Sequence, residues 1–209
     1  MTGDWVWRVG ALVAAYLIGS VPMGLILVRR LKGIDIRESG SGNIGATNVW
    51  RVTGSRLGVS VFFLDCAKGV AAASFGRLAA PDLAVLHVLA GMAGIAGNNW
   101  SVFLGFKGGR GVSISLGVLI ALTPKVALVA FLIFLAGLLA TRYVSVASIV
   151  AALSVPVLMF VFHQPTAYQV LGIACCAFVL VRHIPNIRRL LAGTEPRIPF
   201  GAKKKGDGR

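Results

Sequence analysis

Long runs without a single charged residue set what this chain can fold into. No charge occurs from Val9 to Val28, from Leu83 to Phe106 or from Val126 to Thr141, and another such run extends from Val144 up to Arg182. A soluble core built from 209 residues cannot hide so much continuous apolar chain. A bilayer accepts segments of roughly 20 such residues. Charged residues make up 13% of the chain and apolar ones 56%, about half the charged share usual in soluble domains. The sequence therefore predicts an all-α polytopic membrane protein. Residues 1–28 read as a retained first span, because no polar n-region, short apolar stretch and cleavage site precede the body.

Seven apolar segments follow from this reading, at about 7–28, 56–77, 83–101, 110–122, 125–141, 144–163 and 167–184. Some are short for a crossing, and the fourth, cut off by Thr123-Pro124-Lys125, could be re-entrant. The connections at 29–56, 107–110 and 142 and the tail from 182 hold six, two, one and eight Lys and Arg, seventeen together. The opposite side holds Arg8, Arg77 and Lys125. That asymmetry places those connections and the C-terminus in the cytoplasm and the N-terminus outside. Residues 1–192 read as one integral membrane domain and 193–209 as a basic, flexible cytoplasmic tail. Its Lys203–Lys205 run is either solvated or in contact with acidic lipid. The net charge of +14 lies between apolar spans with little aromatic interleaving, which favours membrane orientation over nucleic acid.

The stretch Gly40-Ser-Gly-Asn-Ile-Gly-Ala-Thr-Asn48 has the G-x-G-x-x-G spacing of a dinucleotide-binding turn. It follows a membrane span and a basic linker, with no Val/Ile-rich strand before it. Asp65, twenty residues past the third glycine, lies in an apolar segment, so the dinucleotide context fails. What remains is an anion cradle. Gly40, Gly42 and Gly45 let backbone N–H groups turn inward, while Ser41, Asn43, Thr47 and Asn48 add hydroxyls and amides. Arg51 supplies a fork for phosphate oxygens. If a helix begins near Ala46, Thr47 and Arg51 share a face. The alternative is a flexible turn between spans.

Three more polar stretches are predicted to reach the same cytoplasmic face. Lys107-Gly108-Gly109-Arg110 offers a second phosphate contact or a headgroup anchor. Ser145 and Ser148 share one face at the start of a segment, where they either bind substrate or cap the helix. His183 and Asn186 share a face by spacing, although Pro185 is a candidate kink. Asp65 and Lys68, three apart inside a span, form either a structural pair or an ion path. Cys66, Cys175 and Cys176, all in apolar segments, read as buried thiols. No metal-ligand cluster, G-x-S-x-G elbow or H-x4-D motif is present, so no metal and no cofactor are expected.

Taken together, GSGNIGATNVWR, Leu64-Asp-x-x-Lys-Gly69, FLGFKGGRGV, RYVSVAS and RHIPNIRRLL resemble the bacterial membrane acyl-phosphate:glycerol-3-phosphate acyltransferases of the PlsY type. The matches run in order from about residue 15 to 192. The resemblance implies a seven-span inner-membrane enzyme with a cytoplasmic site and no metal. Its partners would be glycerol 3-phosphate, a fatty acyl phosphate and membrane lipid; the products would be lysophosphatidic acid and phosphate, in phospholipid synthesis. It implies phosphate or glycerol-phosphate contacts at Ser41, Arg51, Arg110, His183 and Asn186. Donor-side contacts fall to Thr47 and Ser148, with Asn43 and the loop backbone supporting both. Three positions depart from the pattern: Asn98 stands where the family typically has His, Ser101 where it has Pro, and Arg110 where it has Lys. A small transporter or flippase for a phosphorylated solute or lysolipid is the competing class; it would use the same cradle and make Asp65–Lys68 a coupling pair.

Overall fold

The computed structural model describes residues 4–198. Within them the chain is helical, with no strand and one isolated bridge between Ser101 and Lys107. The first apolar run gives α1 (Asp4–Ser20) and α2 (Met23–Lys32). They part at Val21-Pro22, because proline has no N–H to donate and its ring obstructs a helix in the preceding turn. A short α3 (Ala46–Thr53) leads into α4 (Ser55–Ala79), the longest helix. Then follow α5 (Ala84–Asn99), α6 (Val112–Leu122), α7 (Pro124–Thr141), α8 (Val144–Val161), α9 (Thr166–Arg182) and α10 (Ile184–Leu191).

The segment from Asp4 to Lys32, α4, α7 and α8 are long and apolar enough to cross a membrane. A fifth candidate is α9 with α10, bent by 52° at His183, where Pro185 sits in the first turn of α10. With 16 and 11 residues, α5 and α6 fall below that length. Phe63, Leu132, Leu139, Val157 and Ile173 are each more than half exposed, the outward apolar surface that a lipid environment tolerates.

Small residues let the helix axes approach. Where α1 meets α5, a Cβ added to Gly19 would sit 2.8 Å from the Gly94 Cα; where α4 meets α6, one added to Gly69 would sit 3.0 Å from the Gly117 Cα. In lipid, close packing of this kind replaces the hydrophobic drive available in water. The main core, with Ile95, Ile114, Val118 and Leu171 fully buried, lies among α4, α5, α6 and α9. Cys66, Cys175 and Cys176 are free thiols buried within helices, as expected.

Residues from 193 onward, read above as a loose tail, are packed as far as Ile198. The Ile198 side chain is buried against Leu138 and Ala147, and its N–H donates to the Arg142 carbonyl at 2.9 Å. The Lys203–Lys205 run lies outside the described residues.

Candidate active site

The loop before α3 is shaped by two glycines and one amide. Gly40 and Gly42 have φ of +62° and +68°, a region that side chains with a Cβ rarely adopt. Asn48, almost fully buried, gathers the turn from beneath. Its Oδ1 accepts from the Ser41 N–H at 2.8 Å, and its Nδ2 donates to the carbonyls of Ser39 and Asn43 at 3.0 and 2.9 Å. Asn43 Oδ1 in turn accepts from the Gly45 N–H at 2.8 Å. The helix starts at Ala46, as expected, and its apolar underside at Val49 packs on Val28, Ile36 and Val61. Thr47 and Arg51 are left on the cleft side.

The second glycine loop rests on a floor made by the last turn of α5. The Gly109 N–H donates to the Asn98 carbonyl at 2.9 Å. From the other side Arg182 grips the loop, with Nη2 2.8 Å from the Gly109 carbonyl and Nε at 3.2 Å. A Cβ on Gly108 would run into the Asn98 carbonyl oxygen and lie 2.8 Å from that of Asn99. One on Gly111 would lie 3.0 Å from Asn99 Oδ1. Asn99 is wholly buried, and neither its Nδ2 nor its Oδ1 has a partner among the described residues. Close approach to this floor accounts for Gly108 and Gly111 of KGGRG, a reason that their spacing alone does not reveal.

All four polar stretches contribute to one cleft, an empty space of about 750 Å³ partly open to solvent. Its walls include Ser41, Asn43, Gly45, Thr47, Asn48 and Arg51 from the first stretch, Gly109 and Arg110 from the second, Ser148 from the third and His183 from the fourth. Asp65, Asn98, Phe62 and Phe134 also line it, and sequence reasoning did not place them there. Gly42, Lys107 and Gly108 border an adjoining basic cleft with Arg37, Arg182 and Arg189, where Glu38 is the one acid in the lining. Arg110 and Ser41 belong to both clefts. On the other side an apolar groove, lined by Leu116, Phe131, Ala152, Cys176 and Val179, shares Phe62, Val112, Phe134 and Ser148 with the central cleft.

Gly40, Ser145 and Asn186 are not in the central lining. Gly40 packs against Asn48 and shapes the turn. Ser145 and Asn186 are buried, and Asn186 Nδ2 donates to Glu195 Oε1 at 2.7 Å. His183 therefore lines the cleft, while the Asn186 amide is turned to Glu195. Glu195, which carries no signal in the sequence, also accepts from Arg189 Nε at 2.7 Å. Burial alone would raise its carboxyl, but the bonds from Asn186 and Arg189 hold it below the usual range.

The acid whose charge reaches both central arginines is Glu195, without contact. Neither Arg51 nor Arg110 is ion-paired among the described residues. Arg51 Nη2 donates to the Pro196 carbonyl at 3.0 Å, while its buried Nε has no partner. Burial, aided by Arg189, lowers Arg110 to about 10; burial likewise lowers Arg51. Both remain cationic at neutral pH. Two partly desolvated guanidinium groups without an ion pair, one with its buried Nε unpartnered, leave donor capacity at the cleft. Among the described residues no group of His, Cys, Asp and Glu is arranged to hold a metal ion.

His183 is neutral. Burial lowers it to about 4, against a hydrogen bond to the Val179 carbonyl that raises it, and Arg110 adds to the lowering. Since a carbonyl can only accept, Nδ1 carries the proton in the 2.8 Å contact to Val179. The unfolded chain takes up this proton below about 6.5. The stabilising effect of keeping His183 neutral is thus present above 6.5 and is lost as the pH falls toward 4. Between pH 7.5 and 5 the wild type should lose about 2 kcal/mol more stability than His183→Gln. Thermal unfolding in detergent at the two pH values measures the difference, and equal losses would refute the neutral assignment.

Comparison with known proteins gives a consistent answer. A family model described as glycerol-3-phosphate acyltransferase matches residues 9–193. The glycerol-3-phosphate acyltransferase 2 of Moorella thermoacetica is 48% identical over 189 residues, covering 90% of this chain and 96% of its own. That of Trichormus variabilis is 45% identical over 213 residues, covering 94% of each. Crystal structures of PlsY, an integral membrane glycerol 3-phosphate acyltransferase, superpose with TM-scores of 0.87 in the glycerol 3-phosphate form and 0.85 in the lysophosphatidic acid form. They are 42% and 41% identical to this chain, and each covers 92% of it; the matches span 96% and 95% of the crystallised chains.

Proposed function

The chain belongs to the glycerol-3-phosphate acyltransferase family, and from that premise we propose that it takes its acyl group from a fatty acyl phosphate at the cleft between the two glycine loops. It is an integral membrane enzyme that acylates glycerol 3-phosphate to lysophosphatidic acid. The observation that carries the donor assignment is the pair Arg51 and Arg110, unpaired and set between an apolar groove and a basic cleft. A lipid-soluble donor with a phosphate head fits the first junction, and a water-soluble phosphate monoester fits the second.

In this reading the acyl chain lies along Phe131, Ala152 and Val179, which places its carbonyl near Ser148 and Phe134. Glycerol 3-phosphate enters past Lys107 and Arg182. Arg51, Arg110 and the hydroxyls of Ser41 and Thr47 share the two phosphates between them. His183, a neutral imidazole whose free nitrogen can only accept, receives a glycerol hydroxyl better than a phosphate oxygen. Asn186 acts from behind, through Glu195. The glycerol oxygen attacks the acyl carbon, the new ester bond forms, and the C–O bond to phosphate breaks. The hydroxyl proton leaves with the phosphate, whose own oxygen accepts it. A mixed anhydride is already activated, so orientation and charge neutralisation carry most of the work.

The topology belongs to the same proposal. The excess of Lys and Arg in the connections that supply the cleft residues argues for a cytoplasmic site in the inner membrane, an outside N-terminus and seven crossings that include the short α5 and α6. The purified enzyme in detergent, supplied with glycerol 3-phosphate, should release phosphate and form lysophosphatidic acid with palmitoyl phosphate but not with palmitoyl-CoA. Equal turnover with the thioester would reject the donor assignment.

A further inference from the structure

Lys68, buried to 3% exposure in the middle of α4, has three acceptors from three parts of the fold. Its Nζ lies 2.7 Å from the Val21 carbonyl at the break between α1 and α2, 3.0 Å from Asp65 Oδ1 and 3.2 Å from Asn98 Oδ1. An ammonium has three protons and no lone pair, so each proton has one partner and none is left for substrate. A buried ammonium stripped of an acceptor is costly, which holds the arrangement in place.

This fixes the orientation of one amide. Facing a group that can only donate, Asn98 must turn its oxygen toward Lys68. Its NH2 is thereby turned the other way, toward Gly109, where a Cβ would sit 2.9 Å from Nδ2. That side is the floor of the cleft, and Nδ2 has no acceptor among the described residues. The arrangement also gives a reason why asparagine can stand at this position. A neutral imidazole would do the same with its two nitrogens, the lone pair toward Lys68 and the N–H toward the cleft. No proton transfer is required of it.

We propose that Asn98 is a further substrate-binding residue of this enzyme, a hydrogen-bond donor to a substrate phosphate whose amide is oriented by Lys68 and Asp65. The proposal rests on the cleft being the phosphate-binding site. Asn98→Asp keeps an acceptor for Lys68 but has no N–H for the cleft, whereas Asn98→His keeps both. KM should be measured separately for glycerol 3-phosphate and for palmitoyl phosphate, which tells which phosphate is held. Asn98→Asp should raise one of the two by about tenfold to hundredfold, the usual effect of losing a bond to a charged group. Asn98→His should stay within about threefold of wild type, since that bond is kept. If Asn98→Asp does not fold, Asn98→Ser gives the same reading, because its short hydroxyl leaves the cleft without the donor while Lys68 keeps the Val21 carbonyl and Asp65. Wild-type values for both KM in Asn98→Asp or Asn98→Ser would overturn the proposal. Calorimetric titration with glycerol 3-phosphate, without donor, separates the two levels. Absence of binding by wild type would instead reject the cleft itself.

Discussion

Arg110→Ala is expected to lower kcat/KM for glycerol 3-phosphate by about a thousandfold, the upper range for removing one preorganised charge from a desolvated site. The same substitution should leave thermal stability unchanged or slightly raised. Arg110 makes no ion pair among the described residues, and burial together with Arg189 already disfavours its charge. Removing an unpaired cation relieves that penalty, so function and stability move in opposite directions. Arg110→Lys should recover much of the loss, because charge is kept while the planar fork is not. Arg51→Ala should cost a similar factor in turnover, but with some loss of stability, since Arg51 also donates to the Pro196 carbonyl and holds the C-terminal segment. Steady-state kinetics paired with melting curves would decide the matter. Normal turnover in both alanine variants would mean that the phosphates bind elsewhere.

Gly108→Ala should be the most damaging change outside the two arginines, with kcat/KM for glycerol 3-phosphate reduced by about a hundredfold, mostly through KM. The added methyl meets the carbonyl oxygens of Asn98 and Asn99, which belong to the last turn of α5 and cannot swing aside as a side chain would. The loop must lift, carrying Gly109 and Arg110 with it, and displacement on the order of an ångström is enough for such a loss. Gly109→Ala gives a useful contrast, because its methyl meets a single side-chain atom, the Asn98 amide nitrogen at 2.9 Å, and not two backbone carbonyls. Its effect should be milder. If Gly109→Ala proved the worse of the two, the loop would be acting through backbone freedom and not through close approach.

Both predictions depend on the Asn98–Asn99 floor, and the floor marks where sequence reasoning stopped. The residues Gly97-Asn-Asn-Trp-Ser101 drew notice only as a departure from a family pattern. Their role follows from hydrogen bonds to Lys68 and Gly109, thirty and eleven positions away, which no local spacing encodes. The same holds for Glu195, assigned by composition to a loose tail yet buried against Asn186 and Arg189. His183 and Asn186 were paired by helical spacing, but the hold of Glu195 on the Asn186 amide was not legible there. The Asp65–Lys68 pair was legible because i and i+3 positions meet within one helix, but its links to Val21 and Asn98 were not.

What the sequence by itself determined were properties written locally along the chain. Uncharged runs dictate membrane helices, because only there can so much apolar surface go uncovered. The glycine, amide and arginine content of residues 40–51 points to an anion cradle, since glycine permits the positive φ that turns N–H groups inward. The tertiary structure alone decided which polar groups share a cleft, which serve only to hold a loop, and which cations remain unpaired. Those outcomes depend on contacts between residues far apart in the chain, fixed by how the helices cross at their small residues, and a one-dimensional pattern carries no record of them.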